Sequence, residues 1–219
     1  MKNFRLAILA AGIVILGSSA VGSSALAQPA TPATAEEFVQ SCVKTSLAIL
    51  NDASLSKDEK DAQFRTFLLS ITDLNRTADY TLGPVKRTTD PADLAAFEDA
   101  FKNYAIAAYE TQFDKFSGQT LKVVKAVPLD KDITLVSTKL IQPNPRSNQL
   151  PLDVDFRIFG GPGNYLVGDV SVMSIDLAVT VQDQFQAFLW QHKNDVKALT
   201  ADLARRTAKM AARGTAADK

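Results

Sequence analysis

The stretch Asp169–Phe185, DVSVMSIDLAVTVQDQF, restricts the fold more than any other part of this sequence. Its first half alternates. Val170 and Val172 fall on one side of an extended chain, Asp169 and Ser171 on the other. Its second half does not alternate: Leu177, Val181, Phe185 and Phe188 recur at helical spacing. Between Val170 and Val179 the only charge is Asp176. Ser174–Asp176 is the break, and Asp176 is expected to accept a backbone N–H as N-cap of the helix. A strand that feeds straight into a helix, both apolar toward one interior, requires a sheet with helix packed on its face.

The rest of the chain fits that requirement. Phe38, Val39, Cys42, Val43, Leu47 and Leu50 share one helical face. Ser56 and Glu59 form a capping box that opens a second helix, with Phe64, Phe67, Leu68 and Ile71 on one side. Asp73 can cap a short third helix that Gly83-Pro84 stops. Asp90-Pro91 starts a long fourth one, on which Leu94, Phe97, Phe101, Tyr104, Ala105, Ala108 and Tyr109 make one broad apolar face. At Gly118 the pattern changes. Leu121–Lys125 and Ile133–Ile141 read as strands. Leu152, Val154, Phe156 and Ile158 alternate with Asp153, Asp155 and Arg157, and Tyr165–Met173 follows after a Gly160-Gly161-Pro162-Gly163 turn. Short loops between these strands favour an antiparallel meander. A last helix runs from about Asn194 to Met210. The expectation is α+β: helices from both chain ends packed on one face of a four-stranded antiparallel sheet.

Composition excludes more than it specifies. Lysine plus arginine and aspartate plus glutamate each number 24, which gives no concentrated basic surface for nucleic acid. Residues 1–27 read as a cleavable signal peptide: Lys2 and Arg5, an uncharged run from Leu6 to Gly17, then Ala25-Leu26-Ala27 before Gln28. Cleavage is expected after Ala27, with export to the periplasm. Cys42 is the single cysteine, so an exported chain has no internal disulfide. It falls on an apolar helix face, where a free thiol acts as a small hydrophobe. His192, the single histidine, lies in a polar stretch beside Lys193 and reads as solvated. No metal-ligand spacing, P-loop, GxGxxG or GxSxG occurs. Asp153 and Asp155 share a strand face and could form an acid/base pair, but they read first as the solvated side of an alternating strand. Arg205, Arg206, Lys209 and Arg213 could meet an anionic membrane, or could simply complement the dipole of a helix end.

The order of motifs resembles the MlaC-like, or toluene-tolerance, family of periplasmic lipid carriers. Leu82-Gly83-Pro84-Val85-Lys86-Arg87-Thr88-Thr89-Asp90-Pro91 is similar to that family's leucine-glycine segment leading into a long helix with spaced aromatics, here Phe97, Phe101 and Tyr109. Tyr165, Asp169-Val170, Ser174-Ile175-Asp176-Leu177 and Gln184-Phe185 resemble its last strand, turn and following helix. The sequence departs from the pattern where the family has tryptophan (Lys86 and Tyr165), its turn glycine and serine (Ser174 and Asp176) and a Tyr-Arg pair (Val181-Gln182). One subgroup, the HpnM-like proteins, is associated with hopanoid lipids.

The resemblance implies a monomeric, non-catalytic shuttle with no cofactor other than its bound lipid. It would carry a phospholipid, or a hopanoid-type lipid, between an inner-membrane ABC transporter complex and an outer-membrane lipoprotein complex. The chain would then divide into the signal peptide 1–27, a loose leader 28–35, the lipid-carrier domain 36–205 and a basic Ala-rich tail 206–219. An apolar cavity is expected between helices and sheet, floored by Val154, Phe156, Val170 and Val172. Its walls would be Phe67, Ile71, Leu82, Phe97, Phe101, Tyr104, Leu177, Val181 and Phe185. Two other readings stay open: an enzyme using Asp153 and Asp155, and an interaction module whose core is fully packed.

Overall fold

Local side-chain chemistry sets where the helices begin. The computed structural model describes residues 32–113, 118–144 and 151–217, so the expected signal peptide lies outside the described residues. Helix α1, Ala35–Asn51, opens on a capping box that the sequence reading passed over, Thr34 with Glu37. Helix α2, Lys57–Ile71, opens on the expected one, Ser56 with Glu59. Each box satisfies N–H groups that a helix start leaves without partners. Asp73 accepts from the Arg76 N–H at 3.0 Å to start α3, Leu74–Leu82. Gly83, at φ 59°, ends it and passes the chain into a 3-10 turn, Gly83–Thr88. Helix α4, Pro91–Phe113, follows, with Asp90 accepting from the Ala92 N–H at 2.8 Å.

Five strands then form one antiparallel meander in the order β1-β2-β3-β4-β5: Thr120–Asp130, Ile133–Ile141, Leu152–Phe159, Leu166–Val172 and Ile175–Asp176. Four had been expected. The fifth is a two-residue return, pairing Val172 with Ile175 and Ser171 with Asp176. Met173 and Ser174 between them both take positive φ, 51° and 64°. Two consecutive residues at positive φ make the reversal whose twist suits a hairpin. The chain therefore doubles back once before α5, Leu177–Gln191, begins. Asp176 occupies the N-cap position, but its side chain makes no cap hydrogen bond. It lies instead 4.0 Å from Arg157, and Asp169 of β4 accepts from the Ala178 N–H in its place.

The last helix, α6, runs from Val196 to Ala217 without a break at the expected tail boundary of 206. Arg205 and Arg206 both reach back to Asp202, at 2.8 and 2.6 Å, which offsets part of the basic stripe.

Three apolar clusters hold the layers together. One is purely helical: Ala78, Leu82, Phe97, Phe101, Phe185, Leu189, Val196, Leu199 and Leu203 join α3, α4, α5 and α6. A second packs Ala35 and Val39 of α1 on Val136 and Ile158 of the sheet. A third gathers Phe64, Leu68, Leu74 and Ile106 from α2, α3 and α4. The helices thus form a layer of their own, with α1 laid directly on the sheet and Thr72, between α2 and α3, bridging to Val167 of β4.

Register along β4 shifts at Arg157/Ile158, opposite Gly168. A Cβ on Gly168 would fall 1.5 Å from Phe159 Cε2, and the Arg76 guanidinium sits over that ring, 3.9 Å from its centroid. Moving the ring off that Cβ disturbs its cation–π contact. Gly168→Ala should therefore cost about 1–3 kcal/mol, as overpacking does. That corresponds to a fall of several degrees in Tm at about 2–4 °C per kcal/mol. Thermal unfolding followed by circular dichroism checks this; an unchanged Tm would mean that Phe159 does not lie on Gly168.

Candidate functional site

Strand alternation puts Val154 and Phe156 of β3 on the face toward the helices, and the ladder pairs them with Val172 and Val170 of β4. Over this apolar patch the helices do not close. Two adjoining clefts remain, each of about 510 Å³. The first lies between β4 and helices α3, α4 and α5, and is lined by Leu74, Phe101, Tyr104, Ala105, Val181 and Gln184 among others. The second lies between the sheet and helices α1 and α2, and is lined by Val39, Cys42, Val43, Leu47, Leu50, Phe64, Phe67, Leu68, Ile71, Leu121 and Leu140 with the β3 floor. Thr72, Tyr109, Val167, Val170, Val172 and Leu177 line both, so the two clefts adjoin along them.

The linings are more apolar than their residue types suggest. The hydroxyls of Thr72, Thr77, Thr180 and Ser46 each donate to a backbone carbonyl one turn earlier on their own chain: Leu68, Asp73, Asp176 and Cys42, at 2.7–3.1 Å. Neither lining contains lysine, arginine or histidine, and the one charged residue in either is Asp169, in the first cleft. Burial pushes the Asp169 carboxyl up from the ordinary aspartate range; N–H groups of Ala178 and Val170 work against that, while Asp176 adds to it. Tyr109 is pushed up in turn, by burial and then by the nearby Asp169 charge. Burial also pushes the Cys42 thiol up to about 12, which keeps it neutral and unreactive at physiological pH.

Of the thirteen residues expected around a cavity, Val154, Phe156, Val170, Val172, Phe67, Ile71, Phe101, Tyr104, Leu177 and Val181 line one cleft or both. Leu82, Phe97 and Phe185 do not. They are fully buried in the helical cluster, packed against other side chains rather than against open space. The sequence reading selected neither Thr72 and Val167 nor the α1 residues that wall the second cleft. Tyr109 had been placed on the apolar face of α4 but not at the site.

The possible acid pair lies elsewhere. Asp153 and Asp155 point to the sheet face opposite the clefts, and Asp153 forms an ion pair with Lys139. His192 ends α5 at the surface, its ring stacked on Phe188 at 3.9 Å and its Nδ1 2.8 Å from the Phe188 carbonyl. Among the described residues, no group of three histidine, cysteine or acidic side chains could hold a metal ion. Among the same residues, no helix is long and apolar enough to cross a membrane.

Geometry and chemistry together define an α+β domain that holds a largely apolar recess, with no cation in its lining, between a helical layer and one face of an antiparallel meander. A family model described as MlaC protein matches residues 24–205, and the chain belongs to the MlaC family. Among solved structures it is similar to a phospholipid-binding protein from Ralstonia solanacearum determined in complex with a phospholipid. Sequence identity is 23%, the match covers 82% of this chain and 99% of that one, and the TM-score is 0.69. At that identity the likeness establishes the shared fold.

Proposed function

We propose that this protein is a non-catalytic phospholipid carrier of the periplasm, exported by residues 1–27, that shields one lipid molecule during its passage between the inner and outer membranes. The observation that carries this reading is the pair of adjoining clefts with no cation in either lining. Each falls within the about 300–1,000 Å³ typical of small-molecule sites. Side by side, with Tyr109, Val170, Val172 and Leu177 common to both, they suit a ligand with two apolar arms. One acyl chain would occupy each cleft. Removing a chain from water is favourable by about 0.8 kcal/mol per CH₂, so the clefts need no polar recognition to hold one. A phosphate would meet only Asp169 inside, so the headgroup stays at the rim. In the full pathway the lipid would pass between an ABC transporter complex in the inner membrane and a lipoprotein complex in the outer membrane, with the carrier acting as a monomer.

The test is to export the full chain to a bacterial periplasm, purify it without detergent, and record its native mass before and after solvent extraction. One two-chain phospholipid per protein is the expected result. A hopanoid recovered from a hopanoid-producing host would replace the phospholipid in this reading. A bare polypeptide mass from both hosts would overturn it in favour of an interaction module.

A further inference from the structure

The wall common to both clefts is held at its edge by few polar contacts: the Met173 N–H donates to the Asp153 carbonyl at 2.9 Å, Arg157 lies 4.0 Å from Asp176, and the Gln182 amide donates to the Tyr80 carbonyl at 2.6 Å. Leu177, which lines both, is the first residue of α5 and is still 40% exposed. The hairpin before it carries Met173 and Ile175 at 56% and 60% exposure. Its two turn residues are both at positive φ, and neither is the glycine or asparagine that adopts this conformation without strain. Strand β5 contributes only two paired positions. The far half of α5 is anchored, since Phe185 and Leu189 are fully buried in the helical cluster. The start of α5, with Leu177 exposed before the buried Ala178, is thus the less firmly packed end of the helix.

Beside the Arg157–Asp176 pair, Asp169 crosses from the sheet to that end of the helix. Asp169 Oδ1 accepts from the Ala178 N–H at 3.2 Å and from the Val170 N–H of its own strand at 2.8 Å. The first N–H groups of a helix have no partner within it, and the N-cap residue Asp176 provides no side-chain bond. Other charged and titratable groups face Asp169 without making this link. Arg157 of β3 sits 4.0 Å from Asp176, and Tyr109 comes from α4.

We propose that Asp169 is a positioning latch: its hydrogen bond to the start of α5 holds the hairpin and Leu177 across the mouth shared by the two clefts, and loss of that bond opens the mouth for ligand exchange. The exchange role rests on the carrier reading; the latch itself does not. A neutral acceptor of the same shape keeps the geometry of both hydrogen bonds. Asp169→Asn keeps the carbonyl oxygen and Asp169→Ala removes it.

Two measurements test this on the full chain. Amide hydrogen exchange reads the latch without ligand: Ala178 should lose protection in Asp169→Ala and keep it in Asp169→Asn. Transfer of a pyrene-labelled phosphatidylethanolamine to vesicles of phosphatidylethanolamine and phosphatidylglycerol reads exchange. Asp169→Ala should release the probe about 2- to 30-fold faster than the unmodified chain, the range for losing a helix cap. Asp169→Asn should release it no faster than the unmodified chain. Equal protection and equal release in Asp169→Ala overturn the latch. Lost protection in a chain that never binds the probe upholds the latch and overturns the carrier reading. Should Asp169→Ala fail to fold, the paired positions 171 and 176 provide a second test. Ser171→Cys with Asp176→Cys, facing across the ladder, lie within the reach of a disulfide. The oxidised form should release the probe at least about tenfold more slowly, with reductant restoring the rate; unaltered release would mean that the hairpin does not move.

Discussion

Replacing Val172 with aspartate should empty the protein of lipid and leave it folded. Val172 lines both clefts and is paired across the ladder with Val154, so a carboxylate there would meet whichever chain lies on either side. Neither lining offers a cation to compensate it. Burying an unpaired charge against hydrocarbon costs several kcal/mol, or else draws water into the space the chain would occupy. At about 1.4 kcal/mol per factor of ten, retention should fall by at least about a hundredfold. The fold loses far less. Val172 is half-buried rather than locked in a core cluster, and the strand preference of valine over aspartate is worth about 1 kcal/mol. Native mass spectrometry and circular dichroism on the same sample separate the two effects. Val179→Asp is the control, because Val179 lies on the same hairpin–helix segment, is exposed and lines neither cleft. It should keep its lipid. A folded Val172→Asp protein that still carries lipid would show that the ligand lies elsewhere.

The floor that this substitution probes was legible before any coordinates, and the reason is the period of two. Once Asp153, Asp155 and Arg157 face water, Val154, Phe156 and Ile158 have one side left to occupy, and the ladder brings Val170 and Val172 to them. Helix starts at Ser56, Asp73 and Asp90 were legible for a different reason: a cap acts on N–H groups two or three residues away, so its whole cause is local. The hairpin at Met173-Ser174 was not legible, since neither residue is one that marks positive φ. Nor was the role of Asp169, which depends on α5 starting beside it after the chain has turned back. The far half of β1, through Asp130, was also missed. A bulge between Val123 and Lys125 breaks its alternation, and most of it stays exposed, so no periodic apolar signal extends the strand. The helical walls were only half legible. A period of 3.6 states which side of a helix turns inward, but it cannot state whether the inward space is filled by neighbours or left open.

That ambiguity is resolved most sharply at Phe185, where alanine should destabilise the protein far more than at the cleft-rim residue Leu177. Its ring meets Phe97 and Phe101 edge-on, with centroids 6.1 and 6.2 Å away, and Tyr104 at 6.3 Å. It is fully buried. Deleting it removes the transfer free energy of a phenyl ring and leaves a void that the flanking helices cannot refill, about 3–5 kcal/mol together. Edge-to-face pairing adds to the loss. For a chain of this size the drop in Tm is about 10 °C. Leu177→Ala is the comparison from the cleft rim, in the same helix. Already 40% exposed, Leu177 has less apolar area to return to water, and its loss should cost about 1 kcal/mol or less. Both variants must be unfolded after delipidation, because a ligand that binds only the folded state raises apparent stability by mass action. Phe185→Ala costing no more than Leu177→Ala would mean that Phe185 faces open space rather than a solid core. The larger loss, in a variant that still captures lipid, would separate the part of the helical layer that carries the fold from the part that carries the ligand, eight residues apart on one helix.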